Sequence, residues 1–217
     1  MDESETFFNA VLVRYGEVTL KSNVVRRRLE KSLVDSIKYV LEREGIEFSD
    51  VTLIPGRIII KTREAFRVAD VVSKVFGVVS TSPCLEIGNK IEIIRKVAVN
   101  LARSTIKNNS TFAVRARRVK VYPITSKEIE KVVGADILEE LRDRGVRVNL
   151  DNPDHTIYIE ARTSKAYIYN TIIRGIGGMP AGSEGKIVAL ISGGIDSPVA
   201  LWLLMRRGCK PVILHLN

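Results

Sequence analysis

The segment Ile187–Trp202, IVALISGGIDSPVALW, constrains the fold more than any other stretch of the chain. Ile187–Ile191 is an apolar run of the kind that forms a fully buried strand in a parallel sheet covered on both faces. It breaks at Ser192-Gly193-Gly194-Ile195-Asp196-Ser197, and Pro198 then stands where the first turn of a helix tolerates proline. Val199, Ala200, Leu203 and Leu204 continue at helical spacing. The pattern predicts a tight turn from a strand into a helix N-terminus. Unpaired N–H groups and the positive end of the helix dipole converge at such a turn, which suits it to an anion. Gly193 and Gly194 let the backbone approach phosphate oxygens closely, and the hydroxyls of Ser192 and Ser197 add donors. The spacing lacks GxxxxGK[ST] and its lysine, so this is not the P-loop of the common NTPases.

The partner class follows from charge. The 217 residues carry 34 Lys and Arg against 25 Asp and Glu, a formal net charge of +9. That excess favours an anionic partner, with RNA or DNA first. No apolar run approaches the roughly 20 residues of a membrane span. The acidic, polar start Met1–Thr6 does not resemble a signal peptide and no membrane is expected; no disulfide is expected between Cys84 and Cys209, so a reduced cytoplasm is the expected compartment. Two cysteines (Cys84, Cys209) and two histidines (His155, His215) are too few for a structural zinc cluster. Both cysteines read as small buried residues.

The remaining pattern is read in chain order. Phe7–Arg14 alternates as a strand. A helix is expected from an N-cap at Asn23 to Gly45, burying Val25, Leu29, Leu33, Ile37, Val40 and Leu41, with Arg26, Arg27 and Arg28 on its other sides. Val51–Ile54, Pro55-Gly56 and Arg57–Lys61 read as a hairpin. A helix over Ala65–Phe76 and a strand over Val78–Ile87 follow. A third helix is expected from Asn89, with Glu92 completing a capping box. In the strand TFAVRARRVK (Thr111–Lys120), Phe112, Val114 and Ala116 point one way, while Arg115 and Arg117 point the other. Arg118 breaks the alternation, which predicts a bulge or strand end. Thr125-Ser126-Lys127-Glu128 is a capping box opening a fourth helix that Gly145 closes. Strands over Val146–Leu150, Thr156–Ala161 and Lys165–Ile173 follow. The glycine-rich run from Gly175 to Gly182 reads as a linker.

SGGIDS after a strand resembles the pyrophosphate loop of the PP-loop ATP pyrophosphatases, which cleave ATP between its α- and β-phosphates and adenylate a carbonyl oxygen. Asp196 then has two candidate roles, holding Mg²⁺ on the phosphates or capping the turn. The order of elements from Ala65 to Ile173, with FAVRARR, TSKEIEKVVG and VNLDNPDHTIYIE, resembles the THUMP RNA-binding domain. VRYGEVTLKSNVVRRRLEKSL (Val13–Leu33) resembles the ferredoxin-like domain preceding it in one family. Together with GIGGMPAGSEGKIVALISGGIDSPVALWLLMRRG (Gly175–Gly208), these pieces resemble the tRNA sulfurtransferases, the 4-thiouridine tRNA synthetases also tied to thiamine thiazole synthesis.

The resemblance implies four segments. A ferredoxin-like α+β domain spans residues 1–62, a THUMP α+β domain 63–173 and a linker 174–182. Residues 183–217 supply the first β-α-β of a doubly wound α/β pyrophosphatase domain. Because such a domain needs several parallel strands, the chain is expected to be a truncated piece that binds tRNA without thiolating it. The implied reaction is adenylation, by ATP with Mg²⁺, of the uridine at position eight of tRNA, followed by sulfur transfer. The implied partners are tRNA and a persulfide-carrying sulfur donor of the cysteine desulfurase type, and a homodimer is open. Asp196 and Ser197 are the candidate catalytic residues. The ATP and pyrophosphate site is expected to comprise Leu190, Ile191, Ser192, Gly193, Gly194, Asp196, Ser197, His215 and Leu216. Arg115, Arg117, Arg118 and Lys120, then Arg26, Arg27 and Arg28, are the expected RNA contacts through phosphates. Two other readings fit parts of the pattern. One is a PP-loop enzyme adenylating a small molecule, against which the long basic N-terminal region stands. The other is a non-catalytic RNA-binding module, against which the intact SGGIDS stands.

Overall fold

A computed structural model describes residues 8–17 and 22–215. In chain order the elements are β1 (Ala10–Tyr15), α1 (Asn23–Arg43), β2 (Asp50–Ile54), β3 (Arg57–Lys61), α2 (Ala65–Ser73) and β4 (Val78–Gly88). Next come α3 (Ile91–Thr105), β5 (Thr111–Arg118), α4 (Ser126–Glu140), β6 (Arg147–Val148), β7 (His155–Ala161), β8 (Lys165–Tyr169) and β9 (Ile173–Arg174). The chain closes with β10 (Lys186–Leu190), α5 (Asp196–Arg206) and β11 (Lys210–Leu214). Two compact units result: residues up to Pro83 together with Ile172 onward, and Cys84–Thr171. No helix among the described residues is long and apolar enough to cross a membrane.

In the first unit β2, β3, β1 and β4 lie side by side, and β9 pairs with β4. Leu12, Val13 and Ile58–Ile60 on the central strands are buried. They meet α1, whose buried residues Leu29, Leu33, Ile37 and Leu41 recur every four positions, one stripe of a 3.6-residue period. The helix starts one residue earlier than an Asn23 cap requires: Ser22 is the N-cap, without a side-chain capping bond, and Asn23 is the first helical residue. The β2–β3 hairpin turns at Gly56, whose φ of +73° lies where a Cβ is disfavoured. Tyr15 Oη donates to buried Glu30 at 2.8 Å, and Arg26 pairs with the same carboxylate at 3.6 Å.

Residues 175–179 are tied down by backbone hydrogen bonds. Gly175 and Gly177 donate to Val79 and Val78, Ile176 to Ser73, and Met179 to Arg206. Gly178, at φ +83°, lies so near α5 that a Cβ would come 2.2 Å from the Arg206 carbonyl oxygen. Phe76 packs on Trp202 with ring centroids 6.0 Å apart. These contacts hold α5 to the unit by its C-terminal half.

The second unit orders its strands β4-β8-β7-β5-β6, with β5 and β7 parallel and β7 and β8 antiparallel. Buried Phe112, Val114, Ile157, Ile159 and Ile168 form one face, and α3 and α4 supply Ile94, Leu101, Ile129, Val133 and Ile137. Thr125 accepts from the Glu128 amide while Glu128 accepts from the Thr125 amide, the reciprocal box expected at α4. The box expected at α3 does not form. Lys90 is the N-cap there, and the Asn89 amide donates instead to the carbonyls of Arg162 and Thr163 at 3.1 and 2.6 Å. β5 ends at Arg118, where the alternation breaks.

Candidate functional site

β10 and β11 pair in parallel, Lys186 opposite Lys210 through Leu190 opposite Leu214. The Ile191 amide extends the ladder to the Leu214 carbonyl at 2.9 Å. This register sets the C-terminal ends of both strands and the N-terminus of α5 at one edge, where open α/β sheets bind ligands. The expected burial of the strand is corrected. Val188 is 70% exposed and Leu190 64%, because one partner strand and one helix cannot cover both faces of a parallel sheet.

Ser192–Ser197 forms the predicted turn, and it is open: Ser192 through Asp196 are exposed. Ser197 Oγ closes it, accepting from the Ser192 amide at 3.2 Å and lying 3.3 Å from Ser192 Oγ. The Gly194 amide donates to Ser192 Oγ at 3.4 Å. Among the described residues no partner meets the amides of Gly193 or Ile195. The first N–H groups of α5 are orphaned by helix geometry, so the turn presents a cluster of donors to solvent.

The glycines are informative for what does not require them. Neither Gly193 nor Gly194 has a positive φ. A Cβ on Gly193 would meet nothing within 4 Å, and one on Gly194 only Ser192 Oγ at 3.7 Å. The chain's own packing therefore gives no reason for glycine there.

Asp196 is the first residue of α5. The N-cap is Ile195, without a side-chain capping bond, so the capping role open for Asp196 is not the one it plays. Its exposed carboxylate lies at the favourable end of the dipole. His215 Nδ1 lies 2.7 Å from the Ile191 carbonyl oxygen, which only accepts, so Nδ1 is the donor of this hydrogen bond. The histidine thus braces the residue that enters the turn. Leu216 lies outside the described residues. Among those described, no three His, Cys, Asp or Glu side chains converge as a metal site. Cys84 and Cys209 are not in a disulfide; Cys84 is buried as expected, and Cys209 only partly.

The expected RNA residues divide. Arg115, Arg117, Arg118 and Lys120 lie on or just after β5 in the second unit. Arg115, Arg117 and Arg118 are exposed and Lys120 is exposed on the loop that follows. Arg115 donates to the Leu150 carbonyl. Arg118 is committed to its own loop, with Nη1 donating to the carbonyls of Lys120 at 2.9 Å and Tyr122 at 3.0 Å. Arg117 projects from the strand with no hydrogen bond or ion pair among the described residues. Arg26, Arg27 and Arg28 lie on α1 in the first unit: Arg26 is paired with Glu30, Arg27 is exposed, and Arg28 lines a cavity.

Three family models match in chain order: the ThiI ferredoxin-like domain over residues 10–82, the THUMP domain over 89–170, and the thiamine biosynthesis protein (ThiI) over 182–217. The probable tRNA sulfurtransferase of Thermococcus kodakarensis is 42% identical over 214 residues, covering 96% of this chain and 55% of that protein. The chain belongs to the tRNA sulfurtransferase family. The probable tRNA sulfurtransferase of Methanosarcina acetivorans is 41% identical over 96% of the chain and 51% of its own length. The chain thus spans about half the length of the curated tRNA sulfurtransferases it matches. The crystal structure of PH1313 from Pyrococcus horikoshii aligns with a TM-score of 0.86 and 36% identity, covering 96% of this chain and 68% of that one. A 4-thiouridine synthetase solved as an RNA complex with bound ATP aligns at 0.79 and 30%, covering 96% and 52%. The family and the fold class expected from the sequence, ferredoxin-like and THUMP domains followed by the start of a pyrophosphatase domain, are borne out.

Proposed function

We propose that this chain carries the RNA-binding region and the ATP-phosphate loop of an ATP-dependent tRNA thiolating enzyme of the cytoplasm. The observation that carries this reading is the open turn at Ser192–Ser197, whose free amides and empty glycine space match the oxygens of a phosphate chain. A bound 4-thiouridine synthetase structure at 30% identity, containing both RNA and ATP, supports the choice of ligands.

In this reading ATP lies across the ends of β10 and β11 with its adenosine near Leu190, Ile191, His215 and Leu216. Ser192, Gly193, Gly194 and Ser197 hold the β- and γ-phosphates. Charge that develops on the departing pyrophosphate meets amides already oriented for it, the kind of preorganised stabilisation that lowers a barrier most. The C4 oxygen of the uridine at position eight attacks the α-phosphorus, pyrophosphate leaves, and the adenylated oxygen becomes a leaving group. The terminal sulfur of a persulfide on a donor protein of the cysteine desulfurase type then attacks C4 and displaces AMP, and a second thiol cleaves the remaining S–S bond, ending in a disulfide with the donor cysteine and releasing 4-thiouridine. The same sulfur chemistry serves thiazole synthesis for thiamine. Asp196 is the loop residue that would hold a Mg²⁺ ion, which would neutralise charge on the phosphates when bound. Arg115 and Arg117 bind tRNA phosphates, while Arg118 shapes the loop beside them.

The test is release of pyrophosphate from ATP by the full-length protein, with and without tRNA, followed by analysis of the tRNA for 4-thiouridine. Stimulation by tRNA that disappears in Gly194→Val is the expected result. Release that is independent of tRNA, or unaffected by the substitution, contradicts the proposal.

A further inference from the structure

A cavity of about 700 Å³ opens in the first unit between α1, the end of α2 and Ala181. Its volume falls within the roughly 300–1,000 Å³ of small-ligand sites. One face of α1 supplies Arg28, Lys31, Asp35 and Tyr39, which recur every three or four residues and so lie in a row. The residues after α2 supply Lys74 and Phe76. Three cations thus face one carboxylate. Lys74 is paired with Asp70 at 2.7 Å, but both side chains are more than half exposed, so the pair is weak and Lys74 stays available to an anion. Tyr39 is 64% exposed on a helix whose opposite face already holds Leu33, Ile37 and Leu41, so the fold does not need its ring. Val75 and Phe76 add an apolar wall.

We propose that this cavity binds an unpaired nucleotide of an RNA strand, the base on Tyr39 and the phosphates on Arg28, Lys31 and Lys74. Stacking aromatics beside a cationic groove are how proteins hold single strands, since every base has a π-face and every nucleotide a phosphate. A duplex keeps its bases stacked inside and brings only phosphates, which a concave, aromatic-walled site receives poorly. The proposal rests on the reading of this chain as an RNA-binding protein and extends it to a site away from β5. Phe76 also packs on Trp202 of α5, so the cavity wall is shared with the helix that begins at the phosphate turn.

The experiment is equilibrium binding of a short single-stranded oligoribonucleotide, a blunt RNA duplex and AMP to the full-length protein and its variants. Tyr39→Ala is expected to weaken the single strand by about 5- to 150-fold, with Tyr39→Phe restoring it, and to leave the blunt duplex unchanged. Lys31→Gln and Lys74→Gln are each expected to lower the single-strand salt slope by about 0.7. The three substituted side chains lie at the surface, and circular dichroism of each variant shows whether the fold is kept. Single-strand binding that the substitutions leave intact overturns this proposal alone. So does AMP binding as tightly as the oligonucleotide and losing affinity in Tyr39→Ala, which makes the cavity a mononucleotide site. Failure of the unaltered protein to bind any RNA overturns this proposal and the RNA-binding reading together.

Discussion

Replacing Gly193 by alanine separates what the fold requires from what a ligand requires. The backbone there has no positive φ, and the added methyl meets nothing within 4 Å. Substituting Ala for Gly at a compatible position restricts the unfolded chain and typically stabilises by about 0.4–1 kcal/mol. The variant should therefore unfold at the same or slightly higher denaturant concentration. Binding should move the other way. If a phosphate sits on the free Gly193 amide as proposed, a methyl at that residue keeps a phosphate oxygen from at least one charge-assisted hydrogen bond, each worth about 1.5–3 kcal/mol. That corresponds to a loss of about 10- to 150-fold in affinity for pyrophosphate or ATP. Urea unfolding and isothermal titration on the same preparation measure both halves. A destabilised variant would show that the chain itself needs glycine at this position. A variant that binds ATP as the parent does would show that no phosphate comes close to residue 193. Either result refutes the reasoning.

Gly178→Ala is the converse case: with φ at +83° and the Arg206 carbonyl 2.2 Å from the new Cβ, it should lower the melting temperature and raise proteolysis around α5. Tyr15→Phe should cost about 1.5–3 kcal/mol, since buried Glu30 loses the hydrogen bond to its carboxylate. Burial first, and then Glu30, raise the Tyr15 phenol above its ordinary value of 10.0, so the parent's advantage is complete below pH 10 and shrinks above it. Thr125→Ala should cost about 1 kcal/mol in urea unfolding by removing the α4 cap. Hydrogen bonds from Thr125 hold Glu128 below its ordinary 4.5, so that box stabilises above pH 4.5 and weakens as pH falls further, a trend that should be smaller in the variant, which keeps the backbone N–H to Glu128 and loses the hydroxyl. Replacing Arg115 and Arg117 together by Gln should weaken tRNA binding and flatten its salt dependence by roughly one unit for each phosphate that is no longer neutralised, while an unchanged slope removes β5 from the footprint.

Local chemistry was most legible where one residue type has one use. Pro55-Gly56 between two apolar runs marks a hairpin, Thr125 with Glu128 marks a helix start, and the broken alternation at Arg118 marks the end of β5. The phosphate turn was legible for the same reason, because few uses exist for SGGIDS between a strand and a helix. Asn89 misled because an asparagine three residues before Glu92 looks the same whether its amide caps α3 or reaches the carbonyls of Arg162 and Thr163. Arg118 is exposed, as a charge at a strand end suggests, and its guanidinium also holds the carbonyls of Lys120 and Tyr122, which no local pattern announces. The glycines from Gly175 to Gly182 suggest a flexible spacer by composition, whereas several of them allow close backbone contacts with β4 and α5. Tyr39 belongs to a polar row along α1 at helical spacing with Arg28, Lys31 and Asp35, while Lys74, just after α2, gives no such signal. Only the packing of α2 against α1 turns that row into a cavity wall.

The central claim is that the turn between β10 and α5 receives the phosphates of ATP. Hydrogen–deuterium exchange of a peptide spanning residues 187–202 in the full-length protein, with and without ATP, tests it most directly. Amides of Gly193 and of Ile195 to Ser197 that exchange freely alone and slow on addition of ATP or pyrophosphate are the predicted result. Exchange in this peptide that does not change, while ATP binding is measured in the same sample, would contradict the account.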